Sequence, residues 1–148
     1  MNIAFLMQPK PSVAFLYNDF TLRQALEKMK YHGYAAIPVL DRDGYYCGTV
    51  SEGDLLWFIV RGENGEPHTR DVEELEGIKL SELNVDKARN PSVSINADVN
   101  ELLNQAMSQN FIPVTDDRNL FIGIVTRKDV IKHFIVNNFE NDSDEDIK

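Results

Sequence analysis

The amino-acid sequence predicts an α/β protein, an α+β sandwich made from two copies of one β-α-β-β-α unit. Three observations predict it. A helix-spaced apolar run followed by a short apolar strand occurs twice. Each such strand leads through a turn into a second strand, and each hairpin runs into a Ser/Thr-x-x-Asp helix start. With 148 residues in the chain, one copy alone buries too little surface to be stable, so two copies sharing a core are expected.

The elements follow in order. Residues 2–7 read as a leading turn of helix, and Val13-Ala14-Phe15-Leu16 as a short strand after Pro11. From Thr21 to Met29 the apolar residues Leu22, Ala25, Leu26 and Met29 have helix spacing, and Gly33 is a stop signal. Ala36-Ile37-Pro38-Val39-Leu40 is a buried strand, Asp41-Arg42-Asp43-Gly44 a turn, and Tyr45 to Val50 the returning strand. Ser51-Glu52-Gly53-Asp54 opens a helix carrying Leu55, Leu56, Phe58 and Ile59. The second copy has a leading turn at 79–84 and a strand, Ser92-Val93-Ser94-Ile95, after Pro91. A helix from Asp98 to Met107 carries Val99, Leu102, Leu103 and Ala106 on one face. The strands Ile112 to Thr115 and Leu120 to Val125 follow, and Thr126-Arg127-Lys128-Asp129 opens the last helix, with Val130, Ile131, Phe134 and Ile135 apolar.

The register between the copies changes along the unit. Leu22 maps to Val99 with an offset of 77, whereas Pro38 maps to Pro113 and Asp54 to Asp129 with an offset of 75. Two residues are therefore missing from the second copy between helix and strand. If Tyr34 matches Phe111, the missing pair corresponds to Ala35-Ala36. The organisation expected is repeat one at 1–61, an acidic linker with three glycines and a proline at 62–77, repeat two at 78–139, and an acidic, disordered tail at 140–148.

The net charge is -9. Residues 63–76 hold six acids against Arg70, and residues 140–148 hold five against Lys148, so these segments account for all of it. The body between them is neutral, without the basic footprint of a nucleic-acid binder. The single cysteine, Cys47, allows no internal disulfide, and no basic residue flanks it to make a reactive thiol. No stretch is long and apolar enough for a membrane span, and the run Ile3 to Met7 is too short for a signal sequence. The cytoplasm is the expected location. His32, His68 and His133 lack metal-ligand spacing, and no nucleophile elbow, Walker loop or dinucleotide fingerprint occurs. No metal, no cofactor and no catalytic residue are expected. Trp57, with Leu55, Leu56 and Phe58, is assigned to a helix surface used for core packing or dimerisation.

These residues resemble a tandem pair of CBS domains, the Bateman module. The resemblance is carried by Ile37-Pro38-Val39 and Ile112-Pro113-Val114, each followed by Gly-hydrophobic-hydrophobic-Ser/Thr-x-x-Asp: Gly48 to Asp54 and Gly123 to Asp129. Thr49 departs from the hydrophobic pattern. The resemblance covers about residues 2–138 and implies a sandwich whose two repeats pack about a pseudo-twofold axis, commonly as a homodimer. Gly33 to Asp41, the shortened second strand and the basic pair after Thr126 are together similar to the stand-alone CBS-pair proteins of Gram-positive bacteria that bind cyclic di-AMP. Other free-standing pairs bind AMP, ADP or ATP.

The candidate site begins at Thr126-Arg127-Lys128-Asp129. A helix start offers unpaired N–H groups and a positive dipole end to a phosphate. Thr126 adds a hydroxyl, Arg127 or Lys128 a balancing charge, and Asp129 an acceptor for ribose hydroxyls. The same spacing is also that of a capping box, and either copy can be only that. The resemblance implies that the helix start of one repeat faces the strand start of the other. Thr126 and Asp129 would then meet Tyr34, Ala35, Ala36 and Ile37, with Ala14 on the leading strand. Small residues there admit a flat base and Tyr34 can stack on it, although strand packing explains the alanines as well. The reciprocal cleft lacks a counterpart of Ala35-Ala36 at its strand start and carries Glu52 and Gly53 where the other has Arg127 and Lys128, so one nucleotide per chain is expected. The expected function is a non-enzymatic sensor of an adenine nucleotide, with cyclic di-AMP favoured, that signals to an unidentified protein partner. The alternative is a ligand-free CBS scaffold for dimerisation and protein interaction.

Overall fold

The structure, a computed structural model, describes residues 2–61, 67 and 69–146. The chain divides into two compact units: an inner one, contiguous in sequence (Ala14–Pro91), and an outer one made of Met1–Val13 with Ser92–Lys148. The physical units therefore do not follow the chain-order division at 1–61 and 78–139. Each repeat exchanges its leading segment. Leu80, from the 3-10 turn Leu80–Glu82, is fully buried in the core of the inner unit, and Ile3, from the turn Ile3–Phe5, in that of the outer one.

The inner unit runs β2 (Leu16–Tyr17), α1 (Leu22–His32), β3 (Ala36–Leu40), β4 (Tyr46–Ser51), α2 (Glu52–Val60) and α3 (Val72–Glu76). Its sheet has the order β2-β3-β4, with β2 parallel and β4 antiparallel to β3. Leu22, Ala25 and Met29 of α1 meet Ile37, Val39 and Val50 of the sheet in one buried cluster. Helix α1 starts on a capping box between Thr21 and Gln24 and stops at Gly33, which takes φ 69°, a conformation that costs glycine little. Helix α3 lies in the segment read as linker. Asp71 caps it by accepting from the Glu74 N–H at 2.9 Å, and Leu75 joins the core. The acidic composition concealed this short apolar turn.

The outer unit pairs β1 (Gln8–Pro9) antiparallel to β7 (Phe121–Thr126), giving the order β1-β7-β6-β5, with β5 at Val93–Ser94 and β6 at Phe111–Thr115. Helices α4 (Val99–Ala106) and α5 (Arg127–Asp146) complete it. The last helix continues to Asp146, through the segment expected to be a disordered tail. Both hairpins turn on an aspartate whose Oδ1 accepts two backbone N–H groups: Asp41 from Asp43 and Tyr45, and Asp116 from Arg118 and Leu120. Each turn then needs a left-handed residue, Gly44 at φ 93° and Asn119 at φ 65°. Instead of one shared core, each unit holds its own.

Thr49, the departure from the hydrophobic pattern, is buried and partnered. The Tyr46 hydroxyl donates to the Asn90 carbonyl at 2.6 Å and accepts from the Thr49 hydroxyl at 2.8 Å. Burial pushes the Tyr46 pKa up to about 12, against the opposing effect of the Thr49 hydrogen bond. Tyr46→Phe would leave two buried polar groups short of a partner and is expected to cost about 1–3 kcal/mol in urea unfolding. The double variant Tyr46→Phe/Thr49→Val should recover part of that loss.

Candidate functional site

Strand β7 delivers Thr126 to the start of α5. Thr126 Oγ1 accepts from the Asp129 N–H at 3.1 Å, and the Thr126 N–H donates to Asp129 Oδ2 at 3.2 Å. This is the capping box that the spacing also encodes. The same Oδ2 accepts from Gln8 Nε2 at 2.9 Å, because β1 sets Gln8 opposite Ile124 of β7. Among the described residues, none donates to Asp129 Oδ1. The cap therefore uses one carboxylate oxygen and leaves the other uncommitted, so capping and ligand binding are compatible roles.

Arg127 does something the sequence did not indicate. Its guanidinium turns to the C-terminal end of α4, where Nε donates to the Ala106 carbonyl at 2.7 Å and Nη2 to that of Met107 at 3.2 Å. Nη1 donates to Asn110 Oδ1 at 3.1 Å. A cation at a helix C-terminus satisfies carbonyls that have no partner within the helix. Lys128 is the exposed neighbour, without an ion pair among the described residues. Arg127→Ala is accordingly expected to lower stability by about 1–2 kcal/mol, read as a shift of the urea midpoint without ligand. A stability unchanged within error would contradict the capping role.

In the inner unit, Tyr34 is 40 % exposed and stacks on His32, the ring centroids 5.3 Å apart. Ala35 is exposed, and its carbonyl accepts the Glu52 N–H at 2.9 Å. Ala36 is half-buried and pairs with Ser51. The Ile37 side chain is fully buried in the core, so only its backbone can meet a ligand. Ala14 packs, half-buried, against the same core.

The pairing registers correct the placement of the missing residues. Phe111 pairs with Thr126 as Ala36 pairs with Ser51, and Asn110 accepts the Arg127 N–H as Ala35 accepts that of Glu52. Phe111 therefore corresponds to Ala36, not to Tyr34, and the second strand start lacks nothing. The shortening falls on the helix, with α1 spanning 11 residues and α4 only 8. The asymmetry between the strand starts is one of side-chain size, Ala35-Ala36 against Asn110-Phe111.

The first motif copy is held differently. Ser51 and Asp54 form their own capping box, and Asp54 Oδ1 also accepts from both Nη atoms of Arg89 at 3.2 Å. Burial acts to raise the Asp54 pKa, but hydrogen bonds from Ser51 and the Arg89 guanidinium outweigh it and hold the carboxyl below its ordinary value. Beside it lies a cleft of about 630 Å3, lined by Asp54, Trp57, Phe58, Arg61, Arg70 and Arg89 among others. Arg61 stacks on Trp57 at 4.1 Å and Arg70 on Phe58 at 4.5 Å. The helix surface assigned as one face divides: Leu55 is core, Phe58 packs beneath Arg70, and Leu56 and Trp57 are more than half exposed. Sequence reading missed Gln8 and this arginine set. Arg70 stood only as a counter-charge in an acidic segment, and no local pattern ties Gln8 to a residue 121 positions away. Among the described residues no cluster of three or more metal-ligating side chains occurs, and no helix is long and apolar enough to cross a membrane.

The CBS domain family matches residues 5–61 and 82–136, and the chain belongs to it. Two solved structures and one curated protein are similar over nearly the same span. CbpB in complex with cyclic di-AMP aligns at a TM-score of 0.83 with 21 % identity, covering 98 % of this chain and 91 % of that one. CbpB of Listeria monocytogenes, also in complex with cyclic di-AMP, aligns at 0.74 with 26 % identity, covering 94 % and 97 %. An uncharacterised protein of Methanocaldococcus jannaschii is 28 % identical, covering 85 % of this chain and 87 % of that protein.

Proposed function

We propose that this protein senses an adenine nucleotide, with cyclic di-AMP favoured over AMP, ADP and ATP, and signals as a homodimer to a protein partner in the cytoplasm. It is not read as an enzyme. The observation that carries the reading is Asp129, fixed at a helix start through one oxygen while the other faces no protein donor among the described residues. The ligand contacts that the family resemblance implies are Thr126, Lys128 and Asp129, with Ala14, Tyr34, Ala35, Ala36 and the Ile37 backbone. Arg127 ties the start of α5 to the C-terminal end of α4. The likeness to cyclic di-AMP complexes of CbpB adds weight to the choice of ligand. A half-exposed apolar face on α5, with Ile131, Phe134 and Ile135, suits the dimer or the partner contact.

A second reading places an anionic ligand in the inner unit, where Arg61, Arg70 and Arg89 line the cleft beside Asp54. One titration series separates the two. Cyclic di-AMP, AMP, ADP, ATP, adenosine and S-adenosylmethionine are compared for affinity, stoichiometry and thermal shift, in wild type and in Lys128→Ala. Saturation at a hundredfold excess over Kd should stabilise the protein by about 3 kcal/mol. Lys128→Ala should weaken phosphate-bearing ligands more than adenosine. Two equivalent nucleotides per chain would favour both clefts, and no shift with any of them would leave the ligand-free scaffold.

A further inference from the structure

We infer that Gln8 is a positioning residue for nucleotide binding: it aims Asp129 at the ribose without neutralising it. The inference rests on the proposed role of Asp129 and concerns only the outer unit. Gln8 lies on β1, and its Nε2 reaches Asp129 Oδ2 at 2.9 Å across a part-buried contact. The Thr126 N–H reaches the same oxygen. With two donors on Oδ2, rotation of the carboxylate is arrested, and Oδ1 keeps a fixed direction in which to accept a hydroxyl. The partner is an amide, so the full negative charge of the acceptor is kept, and hydrogen bonds to a charged acceptor are the stronger kind. The other motif copy provides the contrast. There Arg89 delivers a cation to Asp54 and occupies Oδ1 itself. The two aspartates share a spacing, a capping box and a helix start. Among the described residues they differ in that Arg89 donates to Oδ1 of Asp54, whereas no donor reaches Oδ1 of Asp129.

The backbone of β1 is held to β7 independently of the Gln8 side chain, through the pairing of Gln8 with Ile124 and Pro9 with Gly123. Gln8→Ala and Gln8→Leu should therefore leave the strand in place. The experiment measures the Kd of cyclic di-AMP and of its 2′-deoxy counterpart by isothermal titration, in wild type, Gln8→Ala, Gln8→Leu and Asp129→Asn. Wild type should prefer the ribose form. Both Gln8 variants should lose about fivefold in affinity for that form, the scale of one hydrogen bond, and bind the deoxy form as wild type does. Purely structural damage would weaken both ligands alike. Equal loss for both, or an unchanged preference in the Gln8 variants while Asp129→Asn abolishes it, overturns the role of Gln8 alone. A wild type that binds neither ligand, or an Asp129→Asn variant that keeps the ribose preference, removes the assignment of Asp129 and the inference with it.

Discussion

Gly123→Ala is expected to destabilise the outer unit by about 3 kcal/mol, at the upper end of what an added methyl costs in a packed core. Its Cβ would overlap the Gln8 carbonyl oxygen and lie 2.8 and 2.9 Å from the Met7 side chain. Methionine can swing away, but the carbonyl belongs to the strand paired with β7 and cannot move without breaking that ladder. The measurement is the urea midpoint, with Gly53→Ala as control. Gly53 is exposed in the first turn of α2, where a Cβ would meet only Ser51 Oγ at 3.7 Å. Alanine there should be neutral or stabilising by up to about 1 kcal/mol. A Gly123→Ala protein as stable as wild type would mean that β1 does not lie against β7 as described. The same variant should bind nucleotide poorly, since displacing β1 withdraws Gln8 from Asp129.

Asp129→Ala should weaken cyclic di-AMP by about tenfold or more, because hydrogen bonds to a charged acceptor are worth about 1.5–3 kcal/mol. Asp54→Ala should leave affinity within about twofold and instead lose the cap, about 1 kcal/mol, and a largely exposed ion pair worth up to about 1 kcal/mol more. The reverse pattern, with affinity lost at Asp54 and kept at Asp129, would move the site to the arginine-lined cleft. Acid titration gives an independent check on Asp54. Its pKa is lowered in the folded state, so its contribution is complete above the ordinary carboxylate range and disappears as pH falls through the lowered value. The stabilities of wild type and Asp54→Asn should therefore converge on acidification.

Much of this architecture was legible because it is local. Leu22, Ala25 and Met29 recur at helix spacing, and both hairpins announce themselves through Asp-rich turns. The doubled motif fixed the repeat and its family. What escaped is carried by distant residues. Nothing near Ile3 or Leu80 says that each packs within the other repeat's unit. The contacts of Arg127 were hidden for a related reason. A basic residue after a helix-start threonine fits a phosphate in the linear sequence, and only the position of the α4 terminus shows which acceptors it reaches. The length difference between the copies was visible, but its location required the ladder, because two residues lost from a helix and two lost from a strand start leave the same offset in the sequence.

The exchanged leading segment also dictates an order of assembly on the ribosome. Residues 1–13 are made well before the strand they pair with, which ends at Thr126. The contiguous stretch Ala14–Pro91 is complete long before that, so it can close while the amino-terminal arm waits unpaired. Translation thus completes the contiguous unit before the other, and Gln8 meets Asp129 only after more than a hundred intervening residues have been made.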